Sequence, residues 1–322
     1  MPNIITHTLF AEDVQKLLDN ENFKNRRQLF NVGSNGPDFL FFHRGTPGSF
    51  MKKAPLRKIG NALHSSHVNE FYADLVHHIR EQKNESLKED MIAYGAGHLC
   101  HWALDSTAHP YIFYRTGRCI KRSADRHHRF ESLLDAAMLK IKNGETIKTF
   151  NPAMEVCDLT ESEMKVIVNV YYPILREIFD EDIRPSMVRE SLQNWKTMQQ
   201  IFHDPDGKKV SALQKVEKLF GMENKFSGFG VPPVVEDNID LLNLLHSQWR
   251  NPVTGEIFTE SFLDLYDEAL HKAVTAIELF LLAIEDPFRE EEFLDFLADR
   301  NYDTGMDTDE GMQYFDIADL SF

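Results

Sequence analysis

Several features are scarce in this sequence, and each scarcity removes a class of protein. The three cysteines, Cys100, Cys119 and Cys157, are odd in number and irregularly spaced, so neither a disulfide framework nor a cysteine-rich zinc ribbon is indicated. No run approaches eighteen apolar residues, so no transmembrane helix is predicted. The N-terminus lacks a basic segment followed by a long apolar stretch, so no signal peptide is predicted. These absences predict a cytoplasmic protein without integral membrane association.

Positive charge is also in short supply. The 322 residues include 35 Lys and Arg against 51 Asp and Glu, which gives a net charge of −16 at pH 7. Because the phosphates of a nucleic acid would be repelled over most of such a surface, a general nucleic-acid-binding protein is disfavoured. The hydrophobic fraction of 42% is ordinary for a globular protein and supplies a large core.

Apolar residues recur with helical periodicity along most of the chain, and no useful stretch has the periodicity of a strand. The fold class predicted is therefore all-α. Residues 43–60 are expected to form a loop, and the third helix is expected to stop before Pro110, because the residue before a proline is biased away from the αR region. The predicted helices are an N-terminal one around Leu9–Leu18, then 61–83, 91–109, 125–142, 161–180, 186–203, 208–220, 260–284 and 288–300.

Histidine is distributed unevenly, with eleven of the fourteen lying before residue 132. His101, Asp105 and His109 are spaced by four residues, which on a helix places successive side chains only about 40° apart on one face. His127 and Glu131 repeat this spacing on the next helix. Imidazole and carboxylate are the zinc ligands used when thiolate is absent, and paired helices of this kind build multinuclear sites in helical bundles. A single histidine is usually structural, but this combination predicts a metal site.

These motifs, with three upstream of them, resemble the zinc-dependent phospholipase C family, which is related to bacterial phospholipases C and P1-type single-strand nucleases. The resemblance covers residues 1–145 well and the rest only in helical character. It implies a multi-helix phospholipase C/P1 nuclease-like bundle with additional C-terminal helices. The matching elements are Ile5-Thr6-His7, Gly36-Pro37-Asp38-Phe39, Ala62-Leu63-His64, His101-x3-Asp105, His109 and His127-x3-Glu131.

The resemblance also implies how the chain is divided and what it binds. Residues 1–150 would form the zinc-binding catalytic core and 151–302 a helical region packed on it. The acidic composition of residues 303–322 separately predicts a tail that is frayed or disordered until it docks. Two or three zinc ions are expected per chain. The implied ligand sets are Asp38, His64, His101 and Asp105 for one zinc, His109, His127 and Glu131 for a second, and His7 with bridging Asp105 for a third.

The implied chemistry is hydrolysis of a phosphodiester by a hydroxide that bridges two zinc ions, with Asp38 as a catalytic base. His98 is expected either to orient a ligand by a hydrogen bond or to be a packed core residue. An excess of cations between His109 and Glu131 predicts Arg115, Arg118 and Arg122 as substrate contacts, although a solvated loop would have the same composition. The expected substrate is a phosphate-ester small molecule or a phospholipid.

Three other functions stay open at this point. A P1-type nuclease or nucleotidase would use the same metal architecture on single-stranded nucleic acid. An HD-type phosphohydrolase would need a His-Asp dipeptide on a core helix, but His203-Asp204 lies at a Pro/Gly turn. A non-catalytic zinc-binding helical module would keep the ligands without turnover, because ligands alone do not prove an open coordination position.

Overall fold

The structure, a computed structural model, describes residues 4–46, 48–49, 53–222, 224–235, 240–308 and 310–320. These residues form thirteen α-helices, three short 3₁₀ helices and one two-stranded hairpin, which confirms the all-α prediction. In that part of the chain, no helix is both long enough and apolar enough to cross a membrane.

The α-helices of the first half include those that carry the predicted ligands. They are α1 (Ile4–Leu18), α2 (Glu21–Asn25), α3 (Arg27–Gly33), α4 (Pro55–Ser65), α5 (Val68–Glu81), α6 (Glu85–Thr116) and α7 (Arg122–Asn143), with a 3₁₀ helix at Gly36–Phe42.

The second half continues with helices and one small hairpin. Its elements are α8 (Pro152–Glu155), α9 (Glu161–Ile178), α10 (Pro185–Phe202), α11 (Lys208–Leu219), α12 (Phe262–Glu285) and α13 (Glu290–Leu297), with 3₁₀ helices at Ser227–Phe229 and Pro287–Arg289, and antiparallel strands β1 (Trp249–Arg250) and β2 (Ile257–Phe258).

Helix α6 is the central element, and α3 and α12 pack against it. The contact with α3 depends on glycine: a Cβ at Gly97 would lie 2.0 Å from the Phe30 carbonyl oxygen, and one at Gly33 would lie 2.4 Å from that of Tyr94. Two backbones can approach so closely only where no side chain separates them. Leu99 and Phe280 lie in the same buried core, so the C-terminal helices share the core of the N-terminal ones.

The structure corrects three sequence predictions. Helix α6 does not stop at His109 but continues through Pro110 to Thr116. Proline lacks an N–H, so it cannot bond to the carbonyl of Ser106, and the chain at Gly305 packs against that carbonyl instead. The predicted helix 61–83 is two helices, because His67 has a left-handed φ of 64° between them. Residues 55–60, predicted as loop, form the start of α4.

The acidic C-terminal tail is docked against the helices in its described parts, 303–308 and 310–320. The backbone N–H of Asp316 donates to the Tyr114 carbonyl at 2.9 Å, and that of Ala318 donates to the Arg115 carbonyl at 2.8 Å. Ala318 and Leu320 are buried. The end of α6 therefore provides the surface that orders the tail.

Lys272 of α12 packs over α6, with its Nζ 4.4 Å from the centre of the Trp102 ring and 2.7 Å from the Ser106 hydroxyl. Burial lowers the pKa of Lys272 to about 7, below the unfolded value near 10.5. Between these two pH values the folded protein binds fewer protons than the unfolded chain, so the free energy of unfolding rises with pH. The cost of burying the charged Lys272 is therefore full below pH 7 and disappears as the pH approaches 10.5.

We expect Lys272→Met to be more stable than the wild type at pH 6.5, by on the order of 2 kcal/mol, and to lose this advantage by pH 10. Urea unfolding of both proteins across this range measures the difference. If the two stability curves run parallel, the charge on Lys272 does not oppose folding.

Candidate metal centre

Asp105 stands at the centre of the predicted site. Its carboxylate oxygens lie 3.1 Å from Nε2 of His7 and 3.1 Å from Nε2 of His101, and one of them lies 3.6 Å from Nε2 of His109. His101, Asp105 and His109 share one face of α6 as their spacing predicted, while α1 supplies His7. The face of α6 therefore gathers three imidazoles around one carboxylate.

All eight predicted ligands are buried, and each belongs to a cluster whose candidate ligand atoms lie within 4.8 Å of one another. The clusters differ slightly from the predicted sets, because Asp105 groups with His7 rather than with Asp38, and His101 joins two clusters. The three clusters are Asp38, His64 and His101; His7, His101 and Asp105; and His109, His127 and Glu131.

Three histidines are oriented through Nδ1. The Nδ1 of His64 lies 2.7 Å from the Gly60 carbonyl oxygen, and that of His109 lies 2.8 Å from the Tyr302 carbonyl oxygen. A carbonyl can only accept, so Nδ1 carries a proton in both rings and Nε2 is the nitrogen that faces the carboxylates of the clusters. Nδ1 of His127 lies 3.1 Å from the Thr116 hydroxyl. Histidines that bind metals are typically oriented by such bonds from the other ring nitrogen.

Buried polar atoms without hydrogen-bond partners provide a separate test of whether a metal fits. Within the described residues, Oδ2 of Asp38, both ring nitrogens of His101 and Nδ1 of His7 have none. An unsatisfied buried polar group costs about 1–3 kcal/mol, and a cation bound between imidazole nitrogens and carboxylate oxygens would satisfy those that face it. Among the described residues, the three clusters consist of imidazole and carboxylate without thiolate, and this donor set suits zinc.

The pKa shifts agree with this assignment. Burial lowers the pKa of His101 to about 4, despite the nearby Asp105 carboxylate, so this ring is neutral and able to bind a metal. Burial also acts to lower the pKa of His109, but the charges of Asp105 and Glu131 outweigh it and raise that pKa to about 10. The space between Asp105 and Glu131 therefore favours a positive charge, which a zinc ion would supply.

The 3₁₀ helix Gly36–Phe42 delivers Asp38 to the site. Oδ1 of Asp38 lies 3.0 Å from Nε2 of His64 and 3.8 Å from Nε2 of His101. Gly36 begins this turn with a φ of 49°, and a Cβ there would lie 2.2 Å from the His101 ring. Only glycine fits both the backbone angle and the space. Gly36 therefore lets the 3₁₀ helix approach His101 closely enough to bring the Asp38 carboxylate into the site.

Asp135 of α7 fixes the start of α1, and with it His7. Its carboxylate accepts from the backbone N–H groups of Ile5 at 3.2 Å and Thr6 at 2.8 Å, and from the Thr6 hydroxyl at 2.7 Å. The first N–H groups of a helix have no partner within the helix. The Asp135 carboxylate therefore caps α1 from another helix.

We expect Asp135→Ala to lower the free energy of unfolding by about 2–3 kcal/mol, because it leaves buried donors unsatisfied, and to weaken zinc binding by letting His7 shift. Asp135→Asn keeps an acceptor oxygen and should lose less of both. Urea unfolding and zinc titration against a chelator measure the effects. Equal losses in the two variants would contradict the capping role.

A cavity of about 310 Å³ opens onto the clusters. Of the three predicted substrate arginines, Arg118 lies in its wall, Arg115 pairs with Asp316 at 3.0 Å, and Arg122 lines a different groove. The lining residues are Asp38, Phe41, Asn61, His64, Ser65, Asp105, His109, Phe113, Arg118, Cys119, His127, Asp303 and Met312.

His98 was predicted to orient a ligand by a hydrogen bond, but the structure gives its ring other partners. Its Nδ1 lies 2.8 Å from the Tyr72 hydroxyl and its Nε2 lies 2.9 Å from the Tyr171 hydroxyl. Burial lowers its pKa well below the ordinary value. His98 is therefore a neutral core histidine whose two ring nitrogens pair with tyrosine hydroxyls.

Sequence reasoning missed Tyr302 and Asp303, which come from the C-terminal segment. The Tyr302 carbonyl orients His109, and its ring centre lies 5.3 Å from those of both His64 and His101. Asp303 adds a further carboxylate to the cavity wall. Neither residue belongs to a spacing that signals metal binding, so nothing in the local sequence could have identified them.

Comparison with known proteins places the chain in a family context. The family model described as "Zinc dependent phospholipase C" matches residues 6–178, more than half of the chain, and this range contains all eight candidate ligands. Searches of the curated proteins and of the solved structures returned no match.

Proposed function

Because this chain belongs to the zinc-dependent phospholipase C family, we propose that it hydrolyses a phosphodiester with zinc bound at the three clusters. The observation that carries the proposal is the set of buried imidazole and carboxylate groups whose ligand atoms converge within 4.8 Å. The proposed ligands are His7, Asp38, His64, His101, Asp105, His109, His127 and Glu131, and they would hold two or three zinc ions.

Zinc bound there would supply a Lewis acid for the phosphoryl oxygens and would lower the pKa of water. The protein's own contribution is to hold the ligands rigidly. His64 and His109 are locked by carbonyl oxygens, and Asp105 lies against three imidazoles. A geometry fixed before the substrate arrives needs no rearrangement during the reaction.

Asp38 is proposed to act both as a zinc ligand and as the general base. Its Oδ1 faces His64, as a ligand would, whereas its Oδ2 has no hydrogen-bond partner among the described residues. Asp38 also lines the cavity, where its carboxylate would accept a proton from an attacking water. Arg118 in the cavity wall would attract the negatively charged phosphoryl group.

A phospholipid or another small phosphate ester is the proposed substrate, and the family match gives no support to nucleic acid. The cavity has room for a head group, and the apolar side chains of Phe41, Phe113 and Met312 line part of it. This combination suits a phosphate ester that carries an apolar part.

The proposal is tested on protein purified without a metal-affinity tag. Elemental analysis should find two or three zinc ions per chain, and the protein should hydrolyse short-chain phosphatidylcholine or bis(p-nitrophenyl) phosphate. Chelation should abolish turnover and added zinc should restore it. Cleavage of single-stranded DNA alone would indicate the nuclease alternative, and a zinc-loaded protein inactive on all three substrates would indicate a non-catalytic zinc-binding module.

A further inference from the structure

Helix α11 (Lys208–Leu219) lies on the surface and is weakly packed. Among the described α-helices of eight residues or more, it buries the fewest side chains, only Glu217. The Glu217 carboxylate accepts from the backbone N–H groups of Phe226 at 2.6 Å and Ser227 at 3.1 Å. The helix is therefore attached through a polar contact and through the half-buried Val210, which packs against Gly230.

Four apolar side chains in α11 and in the segment that follows it face solvent. Leu219 is 84% exposed and Phe220 73% exposed, and Val216 and Phe226 are each about half exposed. Single exposed apolar residues are common, but a cluster of four on one short stretch marks an interaction site.

Cations line a groove on the side of α11 next to these residues. A groove of about 630 Å³ runs between α11, the first turns of α7 and the tail residues Ile317–Leu320. Glu217, Asp319 and nearby Asp125 are its acidic groups, in contrast to the acidic excess of the whole chain. The α11 face is defined here as Val216, Leu219, Phe220 and Phe226 together with the cations Arg122, Arg126, Lys215, Lys218 and Lys225.

The α11 face adjoins the metal cavity. Arg118 lines the cavity and Arg122 lines the groove, and the four residues of chain that separate them span at most about 14 Å. Ile317 of the groove also reaches the turn between α6 and α7, where its Cδ1 would lie 3.5 Å from a Cβ at Gly117. A surface that rests on the α11 face would therefore lie beside the entrance of the cavity.

We propose that the α11 face docks onto anionic phospholipid membranes and presents the cavity to lipid head groups. The inference rests on the proposed function for the nature of the substrate. Lysine and arginine are attracted to anionic lipid, while exposed leucine and phenylalanine enter the boundary between head groups and acyl chains. A nucleic acid would satisfy the cations but not the exposed aliphatic side chains, so a membrane fits the whole face better.

Vesicle flotation tests the proposal with the zinc-loaded full chain, using phosphatidylcholine vesicles with and without phosphatidylserine. The wild type should float with the anionic vesicles and much less with the neutral ones. Lys215→Glu/Lys218→Glu should weaken binding to the anionic vesicles at least about tenfold, and Leu219→Ser/Phe220→Ser should do the same by removing the inserting side chains. Phe288→Ser is the matched control, because Phe288 is 93% exposed but lies beyond α12 beside three glutamates.

Binding of the wild type to neither vesicle, or equal binding by Leu219→Ser/Phe220→Ser and the wild type, would overturn the docking surface. This failure is distinguishable from failure of the proposed function. Flotation needs no turnover, and hydrolysis of soluble bis(p-nitrophenyl) phosphate needs no membrane. We expect Leu219→Ser/Phe220→Ser to keep the zinc content and the hydrolysis of the soluble ester while losing hydrolysis of vesicle phospholipid.

Discussion

Asp105→Asn is expected to remove at least one zinc ion per chain and to lower kcat/KM for a phosphodiester by about a thousandfold, equivalent to several kcal/mol of transition-state stabilisation. The side chain lies 3.1 Å from Nε2 of both His7 and His101 and 3.6 Å from that of His109. Asparagine has nearly the same shape, so the change tests the negative charge rather than the packing. An amide is also a much poorer zinc ligand than a carboxylate.

Asp204→Asn is the matched control, because Asp204 is also buried but accepts from the Val210 N–H at the start of α11, outside the metal clusters. Elemental analysis and phosphodiester hydrolysis are measured for both variants. Zinc content should fall only in Asp105→Asn. If that variant keeps its zinc and its activity, Asp105 is not a ligand and the central part of the proposed site is wrong.

The parts of the fold and site that sequence predicts well are those set by local periodicity. His101, Asp105 and His109 converge because four-residue spacing on a helix fixes their direction whatever surrounds them. The same rule places His127 beside Glu131 at 2.8 Å. These contacts depend only on the helix that carries them, so the sequence contains all the information needed.

Boundaries and distant contacts were less predictable because they depend on packing. Pro110 was expected to end a helix, yet α6 continues through it to Thr116, and the Ser106 carbonyl that loses its bond lies beside Gly305, nearly two hundred residues away. Arg115 and Arg122 look equivalent to Arg118 in sequence. In the structure, however, Arg115 pairs with Asp316 of the tail, and Arg122 lines a separate groove. Local patterns carry no information about such partners.

The C-terminal segment contributes to the candidate metal centre, because the Tyr302 carbonyl accepts from His109, although this segment lies outside the residues 6–178 that match the family. Gly305 has a φ of 68°, and a Cβ there would lie 2.1 Å from the Ser106 carbonyl oxygen. We expect Gly305→Ala to push this segment away from α6, so that the Tyr302 carbonyl no longer accepts from His109. The free energy of unfolding should fall by about 2–4 kcal/mol, and zinc affinity should fall by about 10–100-fold, as when other orienting partners of metal-binding histidines are removed.

Two glycines allow the causes of this loss to be separated. Gly144 has a similar φ of 70° but nothing within 4 Å of a built Cβ, so Gly144→Ala reports the backbone strain alone. Gly311 lies in the same segment with open space around it, so Gly311→Ala should be nearly neutral. Zinc affinity is measured by competition with a chelator, and stability by urea unfolding of the zinc-loaded protein. A loss of affinity confined to Gly305→Ala would show that the docked segment orients His109, whereas unchanged affinity with a stability loss equal to that of Gly144→Ala would show that the segment only covers the site.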